Sequence, residues 1–185
     1  MTPYIAMTPY MMESLVLWGL VATTAMTAIL QLSQGLGLSR MSVTFLLGSA
    51  FSGNRSLATV LGFVLYIIGG WLFAFLYFLF FTSIGIYTWW LGSILGLIHG
   101  LFLLVCVIPL LPFVHPRMAS EHHGVTDVRQ LEPPGFLAMN YGYQTPFATL
   151  VAQAVYGGVL GACVQIQHAM TSSKYGSVGG PVWRF

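Results

Sequence analysis

Charge is what this sequence has least of. Six Lys or Arg and four Asp or Glu make up 5% of its 185 residues, against about 25% in a soluble domain. So few ionised groups cannot coat a water-facing surface, which excludes an ordinary soluble fold. The net charge of +2 is too small to attract nucleic acid. Cysteine is scarce too: Cys106 and Cys163 both fall in apolar runs and read as small buried hydrophobes. No Ser-His-Asp pattern, P-loop or GxGxxG occurs, so no enzyme is expected. Residues 1–13, "MTPYIAMTPYMME", lack the basic n-region of a cleavable signal. They repeat MTPY at 1–4 and 7–10; coincidence and a start site extended upstream both account for so short a unit.

What fills the chain instead is apolar: 57% hydrophobic residues and a mean hydropathy of +0.82. Between Glu13 and Arg40 lie 26 uncharged residues, between Arg55 and Arg117 61, and between Glu132 and Lys174 41. A bilayer crossing needs roughly 20, so these gaps hold one, two and one crossings. A transmembrane barrel would alternate instead, and "GFVLYIIGGWLFAFLYFLFF" (62–81) is apolar on every face. The expected fold is all-α: a polytopic membrane protein with four transmembrane helices in a bundle, forming one domain over residues 1–170. The spans are expected at about 14–32, 57–81, 89–111 and 146–168, followed by a polar tail at 171–185.

Local signals organise these spans. The stretch "MSVTFLLGSAF" (41–51) is too short to cross and reads as an interfacial or partly re-entrant helix after helix one. "TSIGIY" (82–87) predicts a tight hairpin between helices two and three. Trp89 and Trp90 fit an aromatic belt. Pro109 and Pro112 are expected to end helix three, and Pro146 suits a first turn of helix four. The connection between those helices is a long loop of roughly 34 residues, longer than compact domains leave unstructured, so an ordered loop is expected. Lys and Arg are biased toward the Arg40/Arg55 and Arg117/Arg129 side over Lys174 and Arg184, which predicts both termini outside the cytoplasm.

Gly92, Gly96 and Gly100 fall four apart in "LGSILGLIHG" (91–100), and Gly157, Gly158 and Gly161 supply a similar set on helix four. Small residues at this spacing let backbones approach within lipid, so all six are expected to pack helices. His99 lies about 20° from Gly92 around the helix and near mid-span, where a charge costs at least a few kcal/mol. A neutral ring with one donor and one acceptor is expected, bonded to Thr23, Thr27 or Gln153. Ligation of a haem or chlorophyll-type tetrapyrrole by His99 is the alternative, and a proton or solute path a further one. No second histidine is expected at mid-span, since His115 and His168 fall at helix ends. "EHH" (121–123) has no standard zinc spacing and reads as solvated loop. The spans contain no Asp, Glu, Lys or Arg, which argues against an ion-coupled carrier or channel.

Three stretches, "GLVATTAMTAILQLSQGLGL" (19–38), "GLIHGLFLLVCVIPLLPFVHPRM" (96–118) and "LEPPGFLAMNYGYQTPFATLVAQAVYGGVLGA" (131–162), resemble a family of small four-helix bacterial membrane proteins of unknown function. The resemblance runs from about 14 to 168 and implies a bacterial inner-membrane protein without known catalytic residues. The functional expectation is an accessory subunit of a larger, energy-transducing membrane complex. Its partners would be other membrane subunits and the lipid bilayer, with bound lipids and no cofactor in the first reading. Phe136, Tyr141, Tyr143, Trp183 and Phe185 are the expected docking residues.

Overall fold

The computed structural model describes residues 9–120 and 130–176. These residues are all-helical, without strands, and four helices are long and apolar enough to span a membrane. Helix α1 is Pro9–Gly35, α2 is Val43–Ser49, α3 is Arg55–Ile84, α4 is Trp89–Phe102, α5 is Ile108–Val114 and α6 is Thr145–Gly176. The spanning stretches are Glu13–Gly35, Arg55–Ile84, Trp89–Val114 and Thr145–Met170. The chain is a multi-pass helical membrane protein.

Pro109 does not end the third span. A single π turn, Leu103–Val107, joins α4 to α5. A proline ring clashes with the carbonyl four residues back and offers no N–H. Widening the helix just ahead of Pro109 accommodates both defects, and the span continues to Val114. Helix α6 likewise runs on to Gly176, six residues into the stretch expected as polar tail. Trp183, Phe185 and the EHH cluster lie outside the described residues.

Helix α6 is the hub. It packs most extensively on α4 and next on α1, and 56% of its apolar window is buried against 17% for the α4–α5 span. The turn between α3 and α4 is tight: Gly85 takes a left-handed conformation (φ 69°), and its N–H donates to the Phe81 carbonyl, closing α3 as glycine C-caps do. Yet the turn does not make α3 and α4 close packing partners, because α4 lies against α6 instead. The two meet through side chains, with Phe73 and Tyr77 of α3 reaching the His99 ring of α4. The core between the spans gathers Ala22 and Met26, Ala74, Phe78 and Phe81, and Ala152, Tyr156 and Leu160.

Helix α2 begins at Ser42, whose hydroxyl accepts from the Phe45 N–H, and packs on the first two turns of α3. A Cβ on Gly48 would stand 1.7 Å from the Ala58 carbonyl oxygen, and one on Gly62 1.7 Å from that of Thr44. This contact is therefore backbone on backbone. At 1.5 Å per residue, Ala58 and Gly62 lie roughly 5–10 Å from the N-terminal end of α3, so α2 packs at one end of that helix.

Candidate functional site

The α4–α6 seam comes first, because it positions everything near His99. Gly92 and Gly157 face each other: a Cβ on either would meet the other's carbonyl oxygen at 2.0–2.1 Å. One turn on, a Cβ on Gly96 would stand 2.1 Å from the Gln153 carbonyl oxygen, and one on Gly100 3.1 and 3.2 Å from the Gln153 Cβ and Cγ. A Cβ on Gly161 would meet the Thr88 carbonyl most closely, and one on Gly158 chiefly the Ser93 hydroxyl. Lipid supplies no hydrophobic drive between helices, so close van der Waals contact of this kind is what holds them.

Polar groups from all four spans converge beside this seam. The Tyr77 hydroxyl lies 3.4 Å from His99 Nδ1, and the His99 ring sits 4.1 Å from that of Phe73. Tyr77 also meets the Tyr156 ring edge-on at 5.6 Å, a favourable aromatic geometry. Tyr156 is fully buried and donates to the Gly70 carbonyl at 2.6 Å. Gly70 in turn faces Thr23 of α1, which donates to the Gly19 carbonyl at 2.7 Å. His99 thus takes Tyr77 as its partner; Thr23 and Thr27 spend their protons on their own helix, and Gln153 leaves its Oε1 unbonded. Tyr156 and Thr23 both end on backbone carbonyls, whereas the Tyr77–His99 arm leaves His99 Nε2 without a partner among the described residues. His99 Nε2, the nitrogen that would have to hold a tetrapyrrole metal, is buried.

A second polar cluster lies where α2, the end of α5 and the long loop meet. His115 is 4% exposed; its Nε2 is 3.0 Å from the Leu46 carbonyl and 3.3 Å from the Ser49 hydroxyl. Its Nδ1 accepts from the Arg117 N–H at 3.2 Å. A neutral ring with the proton on Nε2 satisfies both nitrogens. The Arg117 guanidinium donates to the Ser49 and Ala50 carbonyls at 2.6 and 3.1 Å, capping the α2 C-terminus where a cation is favoured. His115→Ala should leave the Arg117 N–H without its acceptor and take one of two donors from the Leu46 carbonyl, at about 1–3 kcal/mol. Hydrogen exchange would register this as faster exchange in residues 43–50, and unchanged protection there would show that His115 does not help to hold α2 in place.

The loop beyond is tied down from both sides. Met118 and Leu131 form an isolated parallel bridge, with Ala119 N–H donating to Leu131 and Leu131 N–H to Arg117. Arg40 donates to the Asn140 carbonyl at 2.6 Å and stands 3.7 Å from Glu132. The Tyr141 hydroxyl donates to the Glu132 carbonyl at 2.6 Å. Burial, together with the neighbouring Glu132 carboxylate, pushes the Tyr141 phenol above its ordinary value, an effect Arg40 partly offsets. Leu137 and Ala138 are both left-handed (φ 54° and 60°), a conformation that costs roughly 1–2 kcal/mol per non-glycine residue. Ala138 is fully buried beneath this turn with Met41 and Leu104.

Of the expected docking residues, Tyr141 is half-buried in this network, while Phe136 and Tyr143 are 62% and 81% exposed. Phe147, in the first turn of α6, is 72% exposed beside them in sequence. Sequence reasoning missed Tyr77, Tyr156 and the His115–Arg117 pair. The signal was available for the tyrosines: a phenol far from the aromatic belt of an apolar span must find a partner. Comparison with known proteins found no matching family model, no matching curated protein and no matching solved structure.

Proposed function

We propose that this chain is a structural subunit of a larger membrane assembly in a bacterial inner membrane, with both termini outside the cytoplasm. It contributes surface, not chemistry, and its partners are other membrane subunits and bilayer lipid. One observation carries the reading: Phe136 and Tyr143 stand out from a backbone pinned by Arg40, Asn140 and Tyr141. Aromatic side chains on a fixed backbone lose little conformational freedom on docking, and such residues dominate interface energetics. The left-handed Leu137–Ala138 pair fits this reading, since strain of that kind persists where a local geometry is needed.

The test is native mass spectrometry of the protein drawn from its own membranes in mild detergent. Further subunits should travel with the wild type. The triple variant Phe136→Ala, Tyr143→Ala, Phe147→Ala should lose them while remaining folded. A wild type that travels alone at 20.2 kDa, or a triple variant that keeps every partner, would overturn the reading.

A further inference from the structure

Three buried side-chain polar atoms have no hydrogen-bond partner among the described residues: Thr88 Oγ1 at the start of α4, and His99 Nε2 and Gln153 Oε1 farther along the α4–α6 seam. Gln153 is only 8% exposed. An unmade hydrogen bond in such surroundings costs about 1–3 kcal/mol per group, and native interiors meet that cost with ordered water where no side chain serves.

Two independent sets of contacts bring the residues that carry these last two atoms together at the seam. Gly96 and Gly100, which flank His99 on α4, both press on Gln153, one against its carbonyl and the other against its Cβ and Cγ. Tyr156, one turn beyond Gln153 on α6, touches Tyr77, which lies against His99 Nδ1. The chemistry of the two orphans is complementary. With Tyr77 donating to Nδ1, the ring proton sits on Nε2 and needs an acceptor, while Gln153 Oε1 needs a donor. One water molecule accepts from the first and donates to the second. In the opposite tautomer Nε2 becomes an acceptor, and the same water serves by donating twice. A larger ligand has no such freedom at an atom as buried as Nε2.

We propose that His99 and Gln153 form the binding site of a single structural water near the middle of the membrane-spanning bundle, completing a Tyr77–His99–water–Gln153 bridge between α3, α4 and α6. The site makes the pairing of three spans depend on an exchangeable molecule that lipid cannot replace.

Water-edited ¹⁵N spectra of the full chain, labelled at histidine and held in lipid nanodiscs, test this in either tautomer. His99 is assigned by the resonance that His99→Asn removes. The expected result is early transfer from water to His99 Nε2, reduced at least fivefold in Gln153→Leu, with the other histidine resonances unmoved as the control on folding. No early transfer at Nε2 in the wild type would overturn the site, as would transfer that Gln153→Leu leaves intact. Should Gln153→Leu shift every histidine resonance, Gln153→Glu keeps the oxygen and must retain the transfer; its loss there also counts against the proposal.

Discussion

Gly157→Ala is expected to destabilise the bundle by about 3 kcal/mol, the upper end of the usual overpacking range. The added methyl would fall 2.0 Å from the Gly92 carbonyl oxygen, 2.9 Å from its carbon and 3.0 Å from the Gly96 nitrogen. All three are backbone atoms, so no rotamer change makes room; α4 and α6 must move apart. That separation would weaken the contact on which α4 depends most, and it would disturb the His99 compartment one turn away. Gly158→Ala is the matched control. Its methyl meets chiefly the Ser93 hydroxyl, at 2.6 Å, and a serine side chain can rotate, so a cost of about 1 kcal/mol or less is expected. Unfolding of both variants in the same detergent decides the matter. Equal losses would mean that the close α4–α6 approach is not what holds the spans together.

Gly48→Ala should have an effect as large but confined to one end. Its methyl would lie 1.7 Å from the Ala58 carbonyl oxygen and 2.6 Å from the Gly62 nitrogen, again with no side chain to yield. Helix α2 has seven residues, too few to stay helical unaided in water, so lifting it from α3 removes its support. The bonds from His115 to Leu46 and from Arg117 to Ser49 and Ala50 would go with it. Hydrogen exchange should speed up about a hundredfold over 43–50, equivalent to about 3 kcal/mol, while α4 and α6 keep their protection. Parallel loss in the spans would show that α2 belongs to the same cooperative unit as the bundle.

These expectations differ in how far the sequence alone reaches them. That Gly92, Gly96, Gly157 and Gly161 permit close approach follows from spacing, because small residues four apart share a helix face. That Gly92 meets Gly157 and not a glycine elsewhere does not follow, since any two such faces could pair in lipid. His99 makes the same point in reverse. Its mid-span position showed that it needed hydrogen bonds, and polarity alone suggested Thr23, Thr27 or Gln153. The partner is Tyr77, because both threonines are already bonded to carbonyls one turn back, a local alternative open to hydroxyls in any apolar helix. The Pro109 boundary failed for a related reason: a proline predicts a defect in the ladder, and a π turn absorbs the defect without ending the span.

What the sequence determined by itself is the membrane class, the number of crossings and the short helix after the first. Those depend on transfer between water and lipid, which sums along the chain and needs no knowledge of neighbours. Only the tertiary structure decided that α6 is the hub, that the tight α3–α4 hairpin does not pack as a pair, and that His115 and Arg117 fasten α2. Within lipid every apolar face is equally at home, so hydropathy cannot choose among pairings. The choice falls to shape, to which backbones can come within touching distance and which polar atoms are then left facing one another.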